Sequence, residues 1–278
     1  GRNDAIGAPV NVAADPMWSR AAWVGLSSKS LGRVRLGNGT SLLFINSITS
    51  NAFVDSTVFS PINLVTFIGS PLSGGTGWTN QIMIDSATFA GFSASAAGSA
   101  SEGQSGRNVA GRVSYAGGPV GAAFAYQTVK KNPVTFADGT SSNNTKAWQL
   151  AGSYDFNVIK VFAHVGRIQN AGTEAAPLNI GYTIWDLSAS VPIGTGYVLA
   201  GYASRTTGDA VGPVPATVAG GNKERKVFSI GYDHFLSKRT DVYAMVMNDR
   251  TVTNTVSAPP QLLTASATNV GVGLRHRF

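Results

Sequence analysis

The sequence predicts an all-β protein whose strands run up and down in one antiparallel sheet. Three observations predict it. Apolar residues alternate with small or polar ones, with a period of two, along most of the chain. Every second connection between these segments is short. No stretch keeps apolar residues three and four apart over a helix length, and the apolar runs break long before the roughly 18 residues a membrane-spanning helix needs.

The segments follow in order. Those near 19–28 and 31–37 meet at SSKSLG. Near 80–88 and 91–99 comes a second pair, in which Phe92, Ala94 and Ala96 alternate with Ser93 and Ser95. The pair near 107–116 and 119–129 turns at AGGP. In 146–156, Trp148, Leu150, Gly152, Tyr154 and Phe156 oppose Gln149, Ala151 and Ser153. DFN then leads into 158–168, where Ile159, Val161, Ala163 and Val165 oppose Lys160 and His164. VPIGTG joins 178–190 to 195–205, and LSKRT joins 224–235 to 240–251. Phe228, Ile230 and Tyr232 alternate there with Ser229, Gly231 and Asp233. In the last segment, 267–278, Val270, Val272, Leu274 and the terminal Phe278 alternate with Asn269, Gly271, Gly273 and Arg275. The remaining connections, 38–79, 100–106, 130–145, 169–177, 206–223 and 252–266, are long and polar or rich in Gly and Pro. A sheet with one tidy end and one elaborate end produces this pattern.

Composition narrows the architecture. Only 13% of residues are charged, about half the usual share for a soluble domain. The 33 glycines and 13 phenylalanines suit strands and turns. Without cysteine there is neither a disulfide framework nor a thiolate metal site. A formal charge of +7 calls for an anionic partner: nucleic acid, an anionic surface or small anions. A soluble sandwich would hide the apolar parity in a core. A transmembrane barrel would turn it to lipid and keep small and polar residues inside, with tilted strands of roughly 9–11 residues closed on themselves. The larger aromatics on one parity, with Ser, Gly, Ala and Arg on the other, favour the barrel; a soluble β protein is the competing reading.

Three stretches add a resemblance. SIGYDHFLSKRTDVYA resembles the penultimate hairpin of Gram-negative general porins, and GLRHRF their last strand. SRAAWVGLSSKSLGRVRLGNG is similar to the hairpin that leads into their long third loop. Weaker echoes, such as FAGFSASAAGSA and LSASVPIGTG, extend the likeness over nearly the whole chain from about residue 17. The resemblance implies a 16-stranded homotrimeric barrel in the outer membrane, touching membrane lipid and lipopolysaccharide and needing no cofactor. It implies one barrel domain over 1–278, with 38–79 as the third loop folded into the pore. Phe278 would serve as the signal read during membrane insertion. Thirteen segments are an odd number, whereas bacterial single-chain barrels have even numbers of strands. GRNDAIGAPVNVAADPM reads as an outer loop before the family's fourth strand, so the expectation is that the sequence lacks an N-terminal portion.

Selectivity rests on charge. Between Met17 and Val54 the charged residues are Arg20, Lys29, Arg33 and Arg35, all basic. Val34 and Leu36 are apolar, which puts Arg33 and Arg35 on the lumen parity; for Arg33, near a short turn, snorkelling to the headgroups is the alternative. Arg112 faces inward by alternation with Gly111 and Val113. By resemblance, Arg20 matches a family arginine on the wall at the constriction, and Arg107 matches another in the strand after the fourth long loop. Alternation turns Arg107 the other way, with Val109 and Val113, unless a bulge or a position above the bilayer intervenes. Where the family often has an arginine, this chain has Asn38. The apolar segment 38–79 carries a single acid, Asp55, expected to be the main local counter-charge. These residues predict passive, anion-selective diffusion of small solutes, with small anions as permeants.

Other classes find little support. His164, His234 and His276 sit on separate strands without the spacing of a metal site, and no acid pair or Ser/His/Asp set marks an enzyme. No Gly-rich loop opens a helix to cradle phosphate. The aromatics lie on the apolar parity rather than among basic residues, so no nucleic-acid partner is expected.

Overall fold

In the computed structural model, residues 21–67, 73–100, 107–130, 144–171, 180–207, 223–254 and 261–276 are described. They form one sheet in which every strand bonds antiparallel to its sequence neighbours. The strands are β1 (Ala22–Ser28), β2 (Gly32–Thr40), β3 (Gly77–Ser86), β4 (Phe92–Ser99), β5 (Asn108–Gly117), β6 (Val120–Lys130) and β7 (Asn144–Asp155). They continue as β8 (Lys160–Ala171), β9 (Ile180–Ile193), β10 (Gly196–Thr207), β11 (Lys223–Phe235), β12 (Thr240–Asn254) and β13 (Leu262–His276). Two helices, α1 (Leu42–Ile48) and α2 (Pro61–Phe67), lie between β2 and β3. The number and order of strands agree with the alternation, although β13 begins at Leu262 rather than near 267. Among the described residues β1 and β13 each pair with one neighbour only, and not with each other.

Directly opposed residues of antiparallel strands project to the same face, so the register assigns two faces to the whole sheet. One face carries Leu36 beside Ile82, Val113 beside Phe124, Leu150 beside Val165, and Tyr202 between Leu187 and Phe228. Large apolar side chains on this face are exposed from β2 to β13, a far wider apolar surface than a soluble monomer leaves open. Tyr115 packs on Phe92 and Tyr154 on Phe156 at the short-turn end, with ring centroids 4.7 and 4.4 Å apart. The fold itself thus decides against a hidden apolar parity.

The other face is lined by small and polar residues, among them Ala97, Ala110, Ala125, Ala147, Gln127 and Gln149, all buried. What buries them is the segment after β2. There α1 packs on β5, β6 and β7, and α2 packs on β9, β10 and β11. Fully buried Leu43, Phe44, Ile62 and Val65 anchor this contact, each contributing about 1.5–3 kcal/mol by area. Phe53 and Phe59 reach the wall only because it is bare where they land. A Cβ at Gly201 would stand 2.9 Å from the Phe53 ring, and one at Gly271 would overlap the Phe59 ring.

The sequence predicts no helix, yet α1 and α2 are present. Each helix has only seven residues, too few to show a 3.6 period. All seven residues of α2 are buried, so no polar stripe exists to be read. Local chemistry sets the boundaries instead. The Ser41 hydroxyl accepts from the Phe44 amide at the start of α1. Asn51 and Asn63 donate their side-chain amides to the carbonyls of Ser47, Val54 and Ser56, closing the turn between the helices.

Candidate functional site

The inner face concentrates its cations on two walls. On the first wall, Arg33 and Arg35 of β2 face Asp85 and Met83 of β3 across the ladder. Both guanidinium groups bond one carboxylate: Arg35 Nη2 lies 2.7 Å and Arg33 Nη2 3.2 Å from Asp85 Oδ2. Ser95 of β4 donates to the other oxygen, Oδ1, at 2.8 Å. Next in line, Arg112 of β5 is the cross-strand partner of Ser95. Its guanidinium donates to Asn46 Oδ1 (3.3 Å), Thr49 Oγ1 (3.1 Å) and Ser114 Oγ (3.0 Å). Arg112 therefore joins the wall to the last turn of α1.

The second wall holds α2 in the same manner. Continuing the line of cross-strand partners from Arg112 leads through Ala125, Gln149, Gly166 and Ile184 to Arg205 and Arg225. Arg205 donates to the Val65 carbonyl at 3.0 Å and Arg225 to the Leu64 carbonyl at 2.9 Å. These oxygens belong to the last turn of α2, where cations suit the helix dipole. Arg225 is also paired with Asp249, at 2.6 Å. Nearer the short turns, Arg275 bridges Asp233 and Asp241, 2.8 Å from each. Cavities of about 550 and 410 Å³ lie here between residues 51–59 and the wall. Asp55 lines the first together with Asp233 and Arg275.

Among the described residues no cluster of acids and histidines suits a metal ion. His164 is buried with Nδ1 3.2 Å from Asp186 Oδ1, while Ser188 also points its hydroxyl at that carboxylate. The serine thus bonds the acid rather than the imidazole, which is not the order an activated nucleophile requires. A charged inner face with a loop folded against it and an apolar outer face describe a channel wall. The family model described as Gram-negative porin matches residues 4–254.

The chain belongs to that family. It is 25% identical to an outer-membrane porin protein of Bordetella pertussis, over 94% of this chain and 72% of the relative. Among solved structures, the anion-selective porin from Comamonas acidovorans superposes with a TM-score of 0.72 at 22% identity, covering 93% of this chain and 78% of that one. The trimer form of OmpT from Vibrio cholerae gives 0.68 at 12% identity, over 91% and 79%. These porins are channels rather than enzymes, and the chain is an outer-membrane porin with the family's up-and-down barrel sheet.

Within this porin, the residues singled out from sequence fall in different places. Arg33, Arg35 and Arg112 share the inner face and the first wall. Arg107 lies exposed just before β5, on the parity of outward-facing Val109. Arg20 and Phe278 lie outside the described residues. The counter-charge at Arg33 and Arg35 is Asp85, not Asp55, which sits with Arg275 instead. Sequence reasoning missed Asp85, Arg205, Arg225 and Asp249. Each stands on the inner parity, so alternation marks it as inward-facing; only the register shows what it meets.

Proposed function

We propose that this porin forms a water-filled channel for passive, anion-selective diffusion of small hydrophilic solutes. The observation that carries the reading is the first wall, where three guanidinium groups face one carboxylate, Asp85. Guanidinium stays charged at any working pH and matches carboxylate and phosphate geometry. The segment 38–79 narrows the lumen in this reading, and its sequence carries a single charge, at Asp55. An almost neutral loop opposite a cationic wall leaves the field of that wall uncompensated. Low-dielectric walls focus it, raising anion and lowering cation concentration in the constriction. The Comamonas relative, named for its anion selectivity, supports the same direction.

The channel assembles as a homotrimer in this proposal, as the Vibrio trimer form supports. Its outer face meets membrane lipid, and its long-loop end meets lipopolysaccharide. The test is the reversal potential of single channels in a potassium chloride gradient across a planar bilayer. Chloride preference is expected; potassium preference would overturn the reading.

A further inference from the structure

We infer that the first wall holds a subsite for aryl carboxylates, with Trp23 as the platform for the ring and Arg35 as the anchor for the carboxylate. This rests on the anion-selective reading above and narrows its solute class. Trp23 is the cross-strand partner of Gly37, which places the indole on the inner face of β1. The inner face has other large aromatics, but Trp78, Phe162 and Tyr182 are buried, whereas Trp23 stands beside Gly37, Arg35, Gln81 and Met83. Trp23 lies on β1, which pairs with β2 alone among the described strands, and 46% of its surface is exposed there.

Two cations already stand over it. The guanidinium carbons of Arg35 and Arg33 lie 5.5 and 5.8 Å from the ring centroid, within cation–π range. Stacking holds both groups beside the indole while Asp85 neutralises only one of them. An anion arriving here meets a surplus positive charge next to an open π face. The backbone leaves space for it. Gly37 has φ 135°, and a bulge interrupts the β2–β3 ladder between Gly37 and Gly39, so β2 projects no side chain over the ring at either position.

The polar atoms at the bottom of this recess are incomplete. A hole of about 10 Å³ is lined by Trp23, Arg35, Asn38, Gln81 and Met83 with the two glycines, room for a single oxygen-sized atom. Arg35 Nε and Gln81 Oε1 are both buried without a hydrogen-bond partner. A carboxylate oxygen in the hole would accept from Arg35 Nε–H, and a half-turn of the Gln81 amide would present its NH₂ to the same oxygen. An alkyl carboxylate would gain the charge but not the ring. An aryl carboxylate gains both.

The experiment compares two blockers of chloride current with equal charge and similar size, benzoate and cyclohexanecarboxylate, on single wild-type channels. Benzoate is expected to half-block at a concentration about three- to tenfold lower, the scale of one aromatic stack. Trp23→Leu is expected to bring the ratio to about one, and Trp23→Phe to retain part of it. Trp23→Met keeps size without a ring and reads the same ratio if Trp23→Leu gives no channels. Equal block of the wild type, or a ratio that survives loss of the ring, would overturn the subsite. Reversal potentials in the same recordings separate the two readings. Chloride preference with equal block removes the subsite alone, whereas potassium preference removes the anion-selective reading and the subsite with it.

Discussion

The walls formed by β2–β5 and by β10–β13 each turn three described arginines inward, yet their surroundings differ. On the first, Arg33 and Arg35 share Asp85, and Arg112 bonds the neutral oxygens of Asn46, Thr49 and Ser114. On the second, Arg225 is paired with Asp249, Arg275 spans Asp233 and Asp241, and Arg205 holds a helix carbonyl. The first wall thus sets one carboxylate, Asp85, among three guanidinium groups, and the second sets three, Asp233, Asp241 and Asp249, among three. The number of arginines therefore says little about the field a solute meets. In the proposed channel what matters is the surplus left after each has found its partners: the first wall would keep a surplus for the lumen, while the second uses its cations to hold α2 and close its own ion pairs.

The largest effect that could break this comparison is on stability. Arg225→Gln removes the pair with Asp249 and weakens the bond to the Leu64 carbonyl, where both partners are mostly shielded from water. The expected loss is about 1.5–3 kcal/mol, the scale of hydrogen bonds to charged groups. It is read as a lower temperature for loss of the heat-shifted band on unboiled gels. Arg33→Gln removes a bond to Asp85 from a side chain that is 42% exposed, and is expected to cost less than about 1 kcal/mol. Equal losses would mean that the two walls do not differ in how their arginines are used.

Selectivity sharpens the contrast from the opposite side. Replacing Arg33 and Arg35 together with Gln removes both ion-pair partners of Asp85 and leaves Arg112 as the remaining arginine of the first wall, so its positive surplus is lost. A unit charge at about 4 Å is worth about 1 kcal/mol even at the dielectric of water, so the chloride-to-potassium permeability ratio is expected to fall by about fivefold or more. The matching double change at Arg205 and Arg225 is expected to shift the ratio less, with noisier current as α2 loosens. An equal fall from both would show that total charge, rather than its local surplus, sets the preference.

Much of this contrast was half visible in the chain. The alternation locates thirteen strands because a sheet wet on one face and apolar on the other repeats every two residues, and that signal survives without any contact information. Arg33, Arg35 and Arg112 could be turned inward by parity alone. Their partner could not be found that way, since Asp85 lies 52 and 50 positions beyond Arg33 and Arg35 and meets them only through the β2–β3 register. The helices escaped for a different reason. α2 is enclosed on every side by wall and loop, so its sequence carries no amphipathic stripe. Arg205 and Arg225 bond backbone carbonyls, and a carbonyl acceptor leaves no mark in the amino-acid code.

The smallest predicted effect concerns Arg112, which belongs to both roles. Its Nη2 donates to Thr49 Oγ1 and its Nε to Asn46 Oδ1, so it tethers α1 while lending its charge to the first wall. Thr49→Val keeps the side-chain shape but removes that acceptor, together with the hydroxyl bond to the Ile45 carbonyl. Thr49 is exposed, so water can replace both bonds, and the stability cost is expected to stay within about 1 kcal/mol. The released Nη2–H of Arg112 becomes available to a passing anion. Chloride preference in the reversal potential is therefore expected to hold or rise, by less than about twofold, on the energy of one solvated contact. A fall would mean that the charge of Arg112 reaches the lumen only while α1 is tethered, leaving Arg33 and Arg35 to supply the surplus by themselves.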